Sequence, residues 1–404
     1  MHYPVRLISS RSRVSLETQL GGAGVDSEGI RILTGKAENL VIRIDKMSAP
    51  AANIIKQQLL SLGGDAAVHR DVIAGGPKES TVYIIADRRR LAVLIEKLAG
   101  QPFKLGDLGK TIGTLLHRHE HPPALLPLRE GTLDLSAGPL IMGVLNVTPD
   151  SFSDGGLHLD PAKACDRALE MVDEGAAVID IGGESSRPGS RELTESEEIG
   201  RIAPVLEKLA GMLPVPFSID TRKAAVARLA CEAGAGIVND ISGLRHDPAM
   251  METVAVSGAA AVVMHMQGTP ETMQAEPHYH DPVSEIYEWL DARTETLIDG
   301  GVRLDKIIVD PGIGFGKRLR DNLDILHAIG DFHSLGFPVI VGYSRKSFIG
   351  ELTKREPGER LWGGFAALAH CLDGGVQIVR VHDVKETADF IRVWKAVERR
   401  GETQ

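Results

Sequence analysis

Eight apolar runs in the last two-thirds of this 404-residue chain end in side chains able to bind or react. The terminal groups are Asn146, Glu184 and Ser186, Asp220, Asn239 and Asp240, His265, Asp310, Ser344 and Lys346, and Arg380 and His382. The first run, LIMGVLNVTPDSFSDGG, is apolar from Leu140 to Leu145 apart from Gly143. It then delivers Asn146, Thr148, Asp150, Ser151, Ser153 and Asp154 before Gly155 and Gly156. Arg380 and His382, two apart at one strand end, point to the same side of the strand and make a plausible grip for an anion. No Ser–His–Asp or Cys–His constellation stands out, and His382 lacks the partner of an HxH or HExxH zinc site. PGIGFGKR fails as a Walker A loop, because Pro311 replaces its first Gly and Arg318 its Ser/Thr. HRHEH (117–121), beside Pro122 and Pro123, reads as solvated linker rather than a metal site.

The elements that must carry these groups follow from the pattern. The runs LIMGVLN, AAVIDIGGES, VPFSID, GIVND, AAAVVMH, KIIVD, FPVIVGYSRK and VQIVRVH suit parallel strands buried on both faces. Between them, segments such as PAKACDRALEMVDEG and RKAAVARLACEAG carry helix-spaced apolar positions and stop at Gly. Eight strand–helix units predict a (β/α)8 TIM barrel, whose chemistry sits at the C-terminal ends of its strands. A doubly wound sheet would use fewer strands and a dinucleotide fingerprint.

Residues 1–130 differ. LVIRID, AAVHRDV and TVYIIAD predict short strands, while APAANIIKQQLLSLGG and RRRLAVLIEKLAG predict helices. A small α+β domain of unknown role is expected, with a linker from about residue 115 containing HRHEHPPALLPLREG, ahead of a barrel over residues 131–404. The net charge of −10 argues against broad nucleic-acid binding. No apolar run reaches the length of a membrane span, and the start lacks the apolar stretch of a secretory signal. Three scattered cysteines, Cys165, Cys231 and Cys371, fit no disulfide framework, so a cytoplasmic location is expected.

MGVLNVTPDSFSDGG, IGGESSRPGS, SIDTRK, VNDISG, MHMQGTP, DPGIGFGK, GYSRKSFIG and RVHDV, in this order, resemble the dihydropteroate synthases of the pterin-binding barrel family. The resemblance covers residues 139 to about 395. It implies a transferase that joins 6-hydroxymethyl-7,8-dihydropterin diphosphate to p-aminobenzoate and releases pyrophosphate. It also implies a homodimer and Mg2+.

A pterin edge presents amino, ring N–H and carbonyl groups, and a buried carboxylate can accept from two of its donors. Asp310 is the first choice for that role. Asp220 and Asn239 complete the edge, Lys346 donates to the carbonyl, Met264 packs on the ring and Arg380 stacks its guanidinium on the pterin face. The resemblance places Asp310, Asp220, Asn239 and Lys346 in the pterin pocket. The diphosphate falls to Asn146, Arg187, Arg380 and His382. Asn146 offers one neutral oxygen to a magnesium ion held mainly by substrate. The resemblance puts Ser186, Pro188, Phe315, Lys346 and Ser347 around p-aminobenzoate. Catalysis is assigned to Asn146, Asp220, Lys346, Arg380 and His382, through positioning and charge stabilisation. One departure is Ser186, where the family commonly has Thr; a modest change in p-aminobenzoate packing or sulfonamide affinity is expected. Two other readings fit parts of the pattern. A methyltetrahydrofolate–corrinoid methyltransferase would share Asp220, Asn239 and Asp310 but needs no diphosphate grip. A silent binding or scaffold protein would leave the polar strand ends unexplained.

Overall fold

The computed structural model describes residues 13–148, 160–185, 191–209 and 211–398. It divides into two units, residues 1–117 with 397–404, and residues 118–396.

In the first unit β1 (Asn39–Met47), β2 (Asp65–Ala67) and β3 (Ser80–Asp87) form an antiparallel sheet in the order β1-β3-β2. Ile42, Val82, Ile84 and Ala66 bury against Ile55 and Leu59 of helix Ala49–Leu62 and Leu91, Leu94 and Leu98 of helix Arg88–Leu98. Asp87 ends β3 and starts the latter helix, its Oδ1 accepting from Arg90 N at 2.8 Å. The strand expected through AAVHRDV stops at Ala67. A short 3-10 turn, Arg70–Ala74, follows, initiated by His69, whose Nδ1 accepts from Asp71 N.

In the second unit eight parallel strands follow the expected runs: β6 (Leu140–Asn146), β7 (Val178–Gly182), β8 (Phe217–Asp220), β9 (Ile237–Asp240), β10 (Ala260–Met264), β11 (Ile307–Asp310), β12 (Ile340–Gly342) and β13 (Ile378–Val381). Their order is β11-β10-β9-β8-β7-β6-β13-β12, and a parallel bridge between Val309 and Val339 joins β11 to β12, closing the TIM barrel. The connecting helices begin where the sequence supplies caps. Asp160 and Asp281 each precede a proline at the first helical position and accept from Ala162 N (2.9 Å) and Ser284 N (3.2 Å).

Strand alternation sorts side chains into two layers. Ile141, Leu145, Ile179, Ile181, Ile219, Val238, Val263, Val309, Val341 and Val379 pack outward with the helices. Met142, Val178, Ile237, Val262, Ile308, Ile340 and Ile378 fill the lower interior. The linker expected from about residue 115 needs correction. The helix Leu105–Glu120 continues through His117 and His119, and β4 (Leu125–Pro127) pairs with β5 (Thr132–Asp134) as a hairpin. Leu126, Leu128, Leu133 and Leu135 of that segment pack onto the lower interior residues. The prolines that look like linker in sequence flank a plug, needed because the barrel's apolar floor would otherwise face water.

Candidate functional site

Two residues further along several interior-facing positions, the side chains change from apolar to polar. Asp180, Asn239, Asp310 and Arg380 follow the apolar residues beneath them, Asp220 follows the buried Ser218, and at the top of β10 stands Met264. Register sets their heights: Asp220 pairs with Gly182 and Asn239, and Met264 with Asp310.

Arg380 lies between two carboxylates. Its Nε donates to Asp180 Oδ2 at 2.6 Å and its Nη2 to Asp220 Oδ2 at 2.7 Å. Asn239 Nδ2 donates to the same Asp180 oxygen at 3.0 Å. Burial works against the guanidinium's charge, but Asp180 and Asp220 outweigh it and hold its pKa above the ordinary arginine range. Burial raises the Asp220 carboxyl to about 7; Arg380 opposes the shift, while Asp180, Glu198 and Asp240 add to it. Burial also raises Asp310, against the pull of the Gly312 N–H bond and the charges of Lys346, Lys317 and Arg380. Lys346 is lowered to about 8, chiefly by burial, with Asp310 opposing.

The loop after β11 brings the aromatic residue in. Gly312 N donates to Asp310 Oδ1 at 2.7 Å. At Gly312, φ is +72° and a Cβ would collide with the His265 carbonyl oxygen, so only glycine fits. The turn sets Phe315 beneath Lys346, whose Nζ lies 3.8 Å from the ring centroid. Phe315 also borders an apolar patch of Ile241, Met264, Met266 and Met273. Lys317, absent from the sequence expectations, is buried below this loop. Its Nζ donates to the carbonyls of Phe315 (3.0 Å) and His265 (3.2 Å). Burial lowers it to about 7. Lys346 itself sits just before helix Ser347–Thr353, held by Arg360 Nη1 on the carbonyls of Arg345 (3.0 Å) and Lys346 (3.3 Å); Ser347 is exposed.

His382 Nδ1 lies 3.2 Å from Ser344 Oγ. Burial, with Arg380 and Arg345 nearby, pushes its pKa down to about 3, so it offers neutral imidazole chemistry rather than a cation. Asn146 ends β6 half-buried. Ser186, Arg187 and Pro188, and the loop from Asp150 to Gly156, lie outside the described residues.

Two expected strand-end groups are used elsewhere. Glu184 accepts from Lys223 Nζ at 2.6 Å and Leu193 N at 2.9 Å, and Lys223 also pairs with buried Glu198 at 2.7 Å. This ionic cluster ties Glu184, just after β7, to the backbone at Leu193 and, through Lys223, to Glu198. His265 packs edge-on against Trp289, its ring nitrogen 3.2 Å from Lys317 Nζ. The structure thus brings together Asp220, Asn239, Met264, Asp310, Phe315, Lys346 and Arg380. It adds Asp180 and Lys317, which the sequence reading missed. Asp180 was hidden inside an apolar run, and a charged residue inside a strand buried on both faces was the signal that could have exposed it.

A family profile described as pterin binding enzyme matches residues 142–382. Dihydropteroate synthase of Escherichia coli (strain K12) is 44% identical over 268 residues, covering 66% of this chain and 94% of that protein. The solved structure of Xanthomonas albilineans dihydropteroate synthase with 4-aminobenzoic acid matches with a TM-score of 0.64 at 41% identity, covering 69% of this chain and 98% of the other. A probable bifunctional folylpolyglutamate synthase/dihydropteroate synthase of Halobacterium salinarum is 38% identical over 374 residues, 93% of this chain and 45% of that protein. That alignment is longer than the barrel unit, so it also takes in residues of the N-terminal unit.

Proposed function

The chain belongs to the pterin-binding enzyme family, and from that premise we propose that its barrel condenses 6-hydroxymethyl-7,8-dihydropterin diphosphate with p-aminobenzoate, giving 7,8-dihydropteroate and pyrophosphate. The observation carrying this reading is the convergence of Asp220, Asn239, Asp310, Lys346 and Arg380 on one end of the barrel, beside an apolar patch bordered by Phe315.

In this reading Asp310 and Asp220 accept from the amino and ring N–H donors of the pterin, Asn239 completes the edge, and Lys346 donates to the ring carbonyl. Met264, with Ile241 and Met266, packs on the ring. Arg380 faces the diphosphate side of the pterin, already oriented by its two carboxylates. His382, Asn146 and Arg187 grip the diphosphate, His382 through an imidazole N–H. Phe315, Ser347, Ser186, Pro188 and Lys346 border p-aminobenzoate. The carbon–oxygen bond at the exocyclic methylene breaks, and its electron pair leaves with the diphosphate. The electron-rich dihydropterin stabilises the cationic carbon, which the arylamine nitrogen attacks before losing a proton. No residue need act as nucleophile; positioning and electrostatics carry the step.

Among the described residues no group of three or more His, Cys, Asp or Glu forms a metal cage. The neutral amide of Asn146 suits a Mg2+ that takes most of its ligands from diphosphate and water. Asn146 would hold such an ion, which supplies charge neutralisation at the leaving group when bound.

The reading extends to a homodimer in the cytoplasm, with the N-terminal unit up to residue 117 as an assembly or regulatory domain. Among the described residues no helix is long and apolar enough to cross a membrane. A pyrophosphate-release assay tests the activity. Release that requires both substrates is expected; a corrinoid methyltransferase or a silent binding protein would release none.

A further inference from the structure

Asp180 lies in the middle of β7, two residues short of its end, and is completely buried. It sits in register with Val144 on one side and Ser218 on the other, so both of its neighbours in the sheet are uncharged. A buried carboxylate is costly unless fully paired. Here only Oδ2 is used; Oδ1 makes no hydrogen bond among the described residues. Fold stability therefore gives little reason for a charge at this position.

Its partners supply the reason. Oδ2 accepts from Asn239 Nδ2 and from Arg380 Nε, side chains of two strands that are not neighbours of β7. An ionised carboxylate is acceptor-only, so it admits only the amino side of the Asn239 amide and turns the amide oxygen away. The same oxygen ties Arg380 at Nε, leaving the guanidinium's outer nitrogens for Asp220 and for ligand.

We propose that Asp180 is a positioning residue of the pterin pocket: through one buried oxygen it fixes which face of the Asn239 amide meets the substrate and the direction in which Arg380 presents its guanidinium. The proposal rests on the synthase reading above. Asp180 touches no substrate. It decides that Asn239 offers a carbonyl oxygen to a ring N–H, and that Arg380 is aligned before substrate arrives, so neither side chain has to be ordered during binding.

The test compares Asp180→Asn and Asp180→Ser with the wild-type full chain. Asn keeps the shape but can present an amino group to Asn239, allowing the amide to rotate. The Michaelis constant for the pterin diphosphate is expected to rise roughly ten- to hundredfold, the scale of a lost hydrogen bond to a charged group. The Michaelis constant for p-aminobenzoate and the thermal midpoint stay close to wild type. In an Asn239→Ala background the effect of Asp180→Asn shrinks, because one of the side chains it positions is gone. A pterin Michaelis constant within twofold of wild type in either folded variant overturns the proposal. So does a proportional rise for both substrates with a fallen thermal midpoint, or failure of both variants to fold, since each marks a purely structural residue. Calorimetric binding of the dihydropterin without p-aminobenzoate separates the two levels. A wild-type chain that binds it but releases no pyrophosphate defeats the synthase reading, and weaker binding by Asp180→Asn would still uphold the positioning role.

Discussion

Protonation governs when the side chains of the proposed pterin pocket can accept and donate hydrogen bonds. Asp220, raised to about 7 by burial and its acidic neighbours, loses acceptor capacity as pH falls through that value. Lys346, lowered to about 8 by burial, loses its donor charge as pH rises through that value. The pH profile of kcat/KM for the pterin diphosphate reports the free enzyme, so it should fall on the acid side near 7 and on the basic side near 8. Lys346→Arg keeps its charge throughout, and its basic limb should vanish while activity drops. A basic limb unchanged in that variant would assign it to another group. Residue types at the strand ends exposed this chemistry in the sequence. The pairings did not show there, because Asp180, Asn239 and Arg380 are far apart along the chain and meet only across the barrel.

Among the elements, the hairpin β4–β5 and the loop after β11 do opposite work. The hairpin closes the floor of the barrel, and Leu126 is completely buried there among the lower interior residues. Leu126→Ala should destabilise the barrel by about 2–5 kcal/mol, read as a lower denaturation midpoint. Both Michaelis constants should stay unchanged, because the proposed substrate site lies at the other end of the barrel. A shifted Michaelis constant would mean that the plug influences the mouth. The loop after β11 is anchored from below by Lys317 and by glycine at 312, and it holds Phe315 where p-aminobenzoate is proposed to bind. The hairpin escaped the sequence reading because its strands are three residues long and lie between prolines. So short a pattern carries little periodicity.

At the scale of the whole molecule, each unit has its own buried apolar core among the described residues. A chain beginning at residue 118 should retain the kcat/KM of the full protein, whereas one beginning at 136, without the plug, should unfold at lower temperature. Sedimentation of the 118 version tests the assembly role proposed for the N-terminal domain; an unchanged oligomeric state and unchanged kinetics would defeat it. The Halobacterium salinarum relative aligns beyond the barrel, so the N-terminal unit has a counterpart outside this chain.

Strand–helix periodicity and ordered motifs determined the barrel from sequence alone, and the polar strand ends named the candidate residues at its mouth, because both alternation and the C-terminal position of such groups are local properties of each unit. The tertiary structure decided what closure of the sheet decides. Glu184 and His265 turn to neighbouring cations and rings, Lys317 goes beneath the Phe315 loop, and one oxygen of Asp180 joins Asn239 to Arg380. Those outcomes depend on which side chains face one another across an eight-stranded ring, and that distance is set by the curvature of the closed sheet rather than by spacing along the chain.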